Sequence, residues 1–150
     1  MMTKEERCLE AKKYHVANMN CAQCLLLAFR DRIGLTEEQC FGIASGAGAG
    51  FRSGNICGAV SGAIMVLGML HPHTMENGLP GKQLCTVRTK EFERRFMEKF
   101  GHLNCRELLA EKDLHGSAFA EQLAEGGHCG LMIFTAIELL CDYLDELERE

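Results

Sequence analysis

The chain has 150 residues, 47% of them hydrophobic, and carries a net charge of −5 with nine cysteines, two prolines and no tryptophan. A chain of this length buries a core of its own without covalent staples, and no basic block stands out to hold nucleic acid or an anionic membrane. The odd cysteine count and the polar start Met1-Met2-Thr3-Lys4-Glu5-Glu6-Arg7, which lacks the apolar core of a secretion signal, point to a cytoplasmic protein with reduced thiols.

Thr3 caps a first predicted helix that runs to about residue 18. Asn20-Cys21-Ala22-Gln23 has the form of a capping box and opens a second helix, ended near residue 33 by Gly34. Thr36-Glu37-Glu38-Gln39 repeats that form for a short third helix, which gives way to the glycine-rich stretch 45–54. The segment 56–70 is uncharged and too short to span a bilayer; Gly58 and Gly62, one turn apart, let a neighbouring helix pack close, so it is expected to be the central buried helix. Both prolines lie in a loop over 71–81.

A fifth helix over 82–100 places Cys85, Phe92, Phe96 and Phe100 on one apolar stripe, with Arg88, Glu91, Arg94, Arg95 and Glu98 on a solvated face. Asn104-Cys105-Arg106-Glu107 opens a short helix broken at 113–116, and a last helix from about residue 128 turns Cys129, Ile133, Ala136, Leu140 and Leu144 inward. Nothing alternates at period two for long enough to make a strand. The expected fold is therefore all-α: one domain over 1–150, a bundle of about five to seven helices around a buried Gly/Ala-rich helix.

Four of the nine cysteines, Cys21, Cys57, Cys105 and Cys129, fall where a helix should begin. Amide dipoles at a helix start favour the thiolate, so these positions suit reactive or metal-binding sulfur. Cys21 and Cys24 form a C-x-x-C pair that can cycle as a dithiol or grip a metal, although Cys24 also reads as a small core residue beside Leu25 and Ala28. The glycine-rich lead into Cys57 lets backbone N–H groups near Gly48, Gly50 and Gly58 approach an anion or a cluster sulfur, or simply allows a tight turn and a close helix crossing. It lacks the Gly-Lys-Ser/Thr ending of a phosphate loop. Cys8, Cys40 and Cys141 read as buried small hydrophobes, and the methionines as core filler. His102 and His128 adjoin site cysteines and either assist them or serve loops and caps.

Taken in order, Asn20-Cys21-Ala22-Gln23, then Cys57-Gly58-Ala59-Val60-Ser61-Gly62 after its glycine-rich lead, Cys85, Asn104-Cys105-Arg106-Glu107-Leu108-Leu109 and the late Cys129 resemble the C_GCAxxG_C_C family of redox-active proteins. The likeness runs from about residue 4 to 144. It implies a helical protein whose functional set is Cys21, Cys57, Cys85, Cys105 and Cys129, with Cys24 an addition. Several thiolates placed together repel one another unless protonated, oxidised or neutralised by a cation. Three functions are open. The first is a metal centre, iron–sulfur or zinc, held by Cys21, Cys57, Cys85, Cys105 and Cys129, that exchanges electrons with a redox partner protein or senses redox state. The second is a metal-free thiol–disulfide oxidoreductase with Cys57 and Cys21 as catalytic residues, Cys57 attacking and Cys21, Cys105 or Cys129 resolving. The third is a helical interaction protein with incidental cysteines, for which the glycine-lined helix offers a homodimer face.

Overall fold

The computed structural model describes residues 1–150 as nine α-helices and one 3-10 turn with no strand. The helices are α1 Lys4–His15, α2 Cys21–Ala28, α3 Arg30–Ile33, α4 Glu37–Ile43, α5 Gly58–Leu70, α6 Gly78–Phe100, α7 Cys105–Ala110, α8 Ala118–Ala124 and α9 His128–Glu148. All three capping boxes form: Thr3 with Glu6, Asn20 with Gln23 and Thr36 with Gln39 each exchange two backbone-to-side-chain hydrogen bonds of 2.8–3.1 Å.

The helix count exceeds the expected five to seven because one predicted helix breaks where no Gly or Pro signals it and one further helix forms between the last two predicted ones. The second predicted helix divides at Phe29, whose φ of −114° leaves the helical range. Arg7 of α1, only 2% exposed, reaches under that break. Its Nη1 donates to the Ala28 carbonyl at 2.8 Å, its guanidinium forks onto Asp31 at 2.7 and 3.2 Å, and its plane lies 4.7 Å from the Phe29 ring centre. One buried cation thus takes a carbonyl that the helix would otherwise use and fixes the corner. The second unforeseen element is α8, started by Ser117, whose hydroxyl accepts from the Ala120 N–H at 3.0 Å.

The core is built mainly from α2, α5, α6 and α9. Leu25, Leu26 and Phe29, the α6 stripe Phe92, Phe96 and Phe100, and Met132, Ile133, Phe134, Ile137, Leu140 and Leu144 are all buried. Every residue of α2 after Cys21 is buried, whereas α5 is buried over Gly58–Ala63 and at Val66 and Leu67 and exposes Met69 near its end. The central position expected for the fourth helix is therefore shared with α2. These two run parallel and very close. A Cβ built on Gly62 would stand 2.7 Å from the Leu25 Cβ and 2.9 Å from the Ala22 carbonyl oxygen, and one on Gly58 would stand 3.0 Å from the Ala22 nitrogen. α6 begins four residues earlier than its charge pattern suggests, with Pro80 in its first turn, where a missing N–H costs nothing. That first half overhangs the bundle and leaves Leu79, Leu84 and Val87 exposed. No helix is long and apolar enough to cross a membrane.

Candidate thiol site at four helix starts

Cys21 is the first residue of α2, and Asn20 holds that start in place: its Oδ1 accepts from Gln23 N–H while its Nδ2 donates to the Ala44 and Ser45 carbonyls at 3.0 and 3.2 Å. A Cβ on Gly48 would lie 2.7 Å from the Asn20 Cβ, so the glycine-rich turn closes directly over this cap.

Between Gly48 and Cys57 the chain does something rare. Ala49, Gly50, Phe51 and Arg52 all take left-handed backbone angles, with φ between 52° and 61°. Three of the four carry side chains, each at a cost of roughly 1–2 kcal/mol. The turn is closed by the Asn55 N–H to the Gly50 carbonyl at 3.0 Å and tied down by Arg52 on the Ser45 carbonyl and Arg106 on the Ser53 carbonyl, at 3.1 and 3.0 Å. Gly50 is pressed so hard against Asn55 that a Cβ would stand 2.4 Å from its carbonyl oxygen.

The product of this turn is a short antiparallel pairing. Ile56 faces Asn104, the Cys57 N–H donates to the Leu103 carbonyl at 2.8 Å, and the Cys105 N–H donates to the Asn55 carbonyl at 2.7 Å. Cys57 and Cys105 flank the paired residues on the same side of this ribbon, because side chains alternate along an extended backbone. The pairing also explains why α5 starts at Gly58 rather than at residue 56, and why Asn104 makes no side-chain cap. Cys57 occupies the cap position of α5 itself; its side chain makes no cap hydrogen bond, and the Ala59 and Val60 amides near its sulfur favour the thiolate.

Cys129 stands in the first turn of α9, against Cys21. It is exposed, not turned inward with Ile133 and Leu140 as the helical spacing predicts, while Gly130 and Leu131 of the same turn are buried. The Cys21 thiol hydrogen-bonds the Cys129 sulfur and pulls Cys129 from its ordinary 9.0 down to about 7, against the opposing effect of burial. Cys21 is driven well above the ordinary thiol range by that same contact, then by burial and by the neighbouring Cys57. Burial raises Cys57 to about 11 despite the two nearby amides, and raises Cys105, which also feels Cys129. Of these four thiols only Cys129 is lowered, whereas the helix-start argument assigns attack to Cys57 or Cys21. Contact with Cys129 at Cys21, and desolvation at Cys57, outweigh the dipole of a single helix end.

The other predicted site residues lie elsewhere or do structural work. Cys85 is half-buried against Leu67, Gly68 and His71 near the far end of α5. At 1.5 Å per residue this is about 15–20 Å along α5 from Cys57. It belongs to the overhanging half of α6, not to the Phe92, Phe96 and Phe100 stripe. Gly48, Gly50 and Gly58 each meet protein atoms at close range, on Asn20, Asn55 and α2 respectively, which gives all three a packing role. Cys24 is buried behind Cys21, and burial raises its thiol to about 12, so the C-x-x-C pair has one inert member. Cys8 and Cys40 are buried, while Cys141 is only partly so. His102 turns to Glu111 at 3.2 Å, and burial keeps His128 below its ordinary value, hence neutral at pH 7.

Iron–sulfur clusters and zinc need three or four donors around one point. No three His, Cys, Asp or Glu side chains of this structure gather closely enough to hold a metal ion, so the thiols as placed do not fit such a centre. They do suit exchange of sulfur–sulfur bonds. An exposed, easily ionised thiol is backed by a second thiol in contact with it, and two more stand within reach of their charge. Neither a curated protein nor a solved structure gives a significant match to the chain. A family model does: over residues 19–143 the sequence matches the family described as putative redox-active protein (C_GCAxxG_C_C), and the chain belongs to that family.

Proposed function

We propose that the protein is a thiol–disulfide oxidoreductase in which Cys129 is the attacking thiol and Cys21 the resolving one. The observation that carries this reading is the contact between an exposed Cys129 and the more protected Cys21 behind it. In the oxidised substrate a disulfide sulfur is attacked by the Cys129 thiolate; the substrate's other sulfur leaves as a thiolate and a mixed disulfide forms. Cys21 loses its proton, attacks the Cys129 sulfur and releases the second substrate sulfur. The substrate gains two electrons, and the protein is left with a Cys21–Cys129 disulfide. The thiol attack is favoured at neutral pH because a thiol with a pKa near ambient combines a large thiolate fraction with adequate nucleophilicity.

The test is reaction of the fully reduced protein with oxidised glutathione, quenched by acid and mapped by mass spectrometry. Wild type should accumulate a Cys21–Cys129 disulfide; Cys21→Ser should stop at glutathione bound to Cys129; Cys129→Ser should lose the reaction. Glutathione found first on Cys57 or Cys105 in wild type would overturn the assignment.

A further inference from the structure

Cys57 is a nucleophile in an odd place. It is 4% exposed, so no outside molecule reaches it, and it sits at the cap position of α5, between the other thiols of the site. Its neighbours on both sides are thiols. On one side Gly58 presses on the start of α2, where an added Cβ would stand 3.0 Å from the Cys21 Cβ. On the other, the Ile56–Asn104 pairing sets Cys105 on the same face of the ribbon, as a diagonal neighbour; such diagonals run about 7–8 Å between backbones, within reach of a side-chain swing. Cys105 is half-buried and therefore open to solvent, whereas Cys57 is not.

We propose that Cys57 and Cys105 form a second redox pair, which takes the disulfide from Cys21–Cys129 by way of Cys57 and presents it at Cys105 to a reducing dithiol on another protein. The inference rests on the reading of Cys21–Cys129 as the first pair. Cys57 gives up its proton and its sulfur attacks the Cys21 sulfur, the Cys21–Cys129 bond breaks, and the Cys129 thiolate that leaves takes up that proton. The Cys105 thiolate then attacks the Cys57 sulfur, and Cys21 leaves and takes up the proton that Cys105 gave up. Each step exchanges one sulfur–sulfur bond for another, with no net gain or loss of electrons. Cys129 is thereby returned to its reactive form while the oxidising equivalent waits one layer deeper. A dithiol partner then attacks the Cys105 sulfur, becomes a disulfide and restores the reduced protein.

The experiment uses the full-length chain, reduced and then given one equivalent of oxidised glutathione, with samples quenched over time and disulfides mapped. In wild type the Cys21–Cys129 bond should appear first and then decline as Cys57–Cys105 rises, total disulfide staying constant. Cys105→Ser should instead accumulate Cys21–Cys57. Cys57→Ser should form Cys21–Cys129 at the wild-type rate and hold it. If Cys21–Cys129 forms in wild type and never passes to Cys57–Cys105, the second pair is refuted while the first stands. The same holds if Cys57→Ser transfers a disulfide to Cys105 at the wild-type rate. If Cys21–Cys129 never forms, both readings fall. The wild-type time course needs no variant and so decides the matter even if a substituted chain folds poorly.

Discussion

Helix α5 contains its own control for the claim that close packing on α2 positions the thiols. Gly62 and Gly68 are both inside the helix, and in an exposed helix interior Gly→Ala gains roughly 0.5–1 kcal/mol from reduced backbone entropy. Gly68 has nothing within 4 Å of an added Cβ, so it should show that gain alone. At Gly62 the added carbon would stand 2.7 Å from the Leu25 Cβ, 2.9 Å from the Ala22 carbonyl oxygen and 3.0 Å from the Ala22 Cα. None of these is the free end of a flexible side chain, so α2 and α5 must part. Overpacking of this kind costs about 1–3 kcal/mol, which offsets the propensity gain and in most of that range exceeds it. The two variants should therefore differ by about 1–3 kcal/mol, with Gly68→Ala the more stable; at 2–4 °C per kcal/mol for a chain of this size, the melting temperatures separate by about 2–12 °C. Urea unfolding followed by circular dichroism at 222 nm, under reducing conditions, measures the difference directly. Equal stability, or a more stable Gly62→Ala, would refute the close seam and with it the account of how Cys21 is held against Cys57.

Reactivity follows the thiol pKa values. Iodoacetamide labelling of Cys129 in the reduced protein should rise with pH through a midpoint near 7, because the thiolate is the reactive form; Cys21→Ala removes the hydrogen bond that lowers it, so the midpoint should move up toward 9 and labelling at pH 7 should fall. In the native protein Cys57, Cys24 and Cys8 should label far more slowly than Cys129 at pH 7, and a urea-unfolded sample should erase the difference; fast native labelling of Cys57 contradicts its burial. Arg7→Ala leaves the Ala28 carbonyl without its buried donor and Asp31 without its ion-pair partner, and should cost about 3 kcal/mol in urea unfolding. Elemental analysis after purification without oxygen should find iron and zinc well below one per chain; a full equivalent of either would bring the four cysteines back as ligands.

Local signals in the sequence predict local structure well here. The Thr3, Asn20 and Thr36 caps, the Phe92-Phe96-Phe100 stripe and the close approach at Gly58 and Gly62 depend on residues a few positions apart, and all five features are present. What could not be read depends on residues far apart. The corner at Phe29 is made by Arg7, and the ribbon that sets Cys57 beside Cys105 is made by backbone groups of 55–57 and 103–105, which no side-chain pattern announces. The thiol pKa values went the other way from the helix-start argument for the same reason. Position in a helix is visible in sequence, whereas burial of Cys21 and Cys57 is a property of the assembled bundle.

The pairing of residues 55–57 with 103–105 also orders events during synthesis. A chain made from its amino terminus has α1, α2 and α5 available early, and the Gly58–Gly62 seam against Ala22 and Leu25 needs nothing beyond them. Leu103 and Cys105 arrive about 50 residues after Cys57, and the loop they close must be gathered against its entropy before two hydrogen bonds reward it. Cys129 follows later still. Both proposed disulfides, Cys21–Cys129 and Cys57–Cys105, would thus join a sulfur seated early to one that is translated late, and a chain that ends before residue 105 could make neither.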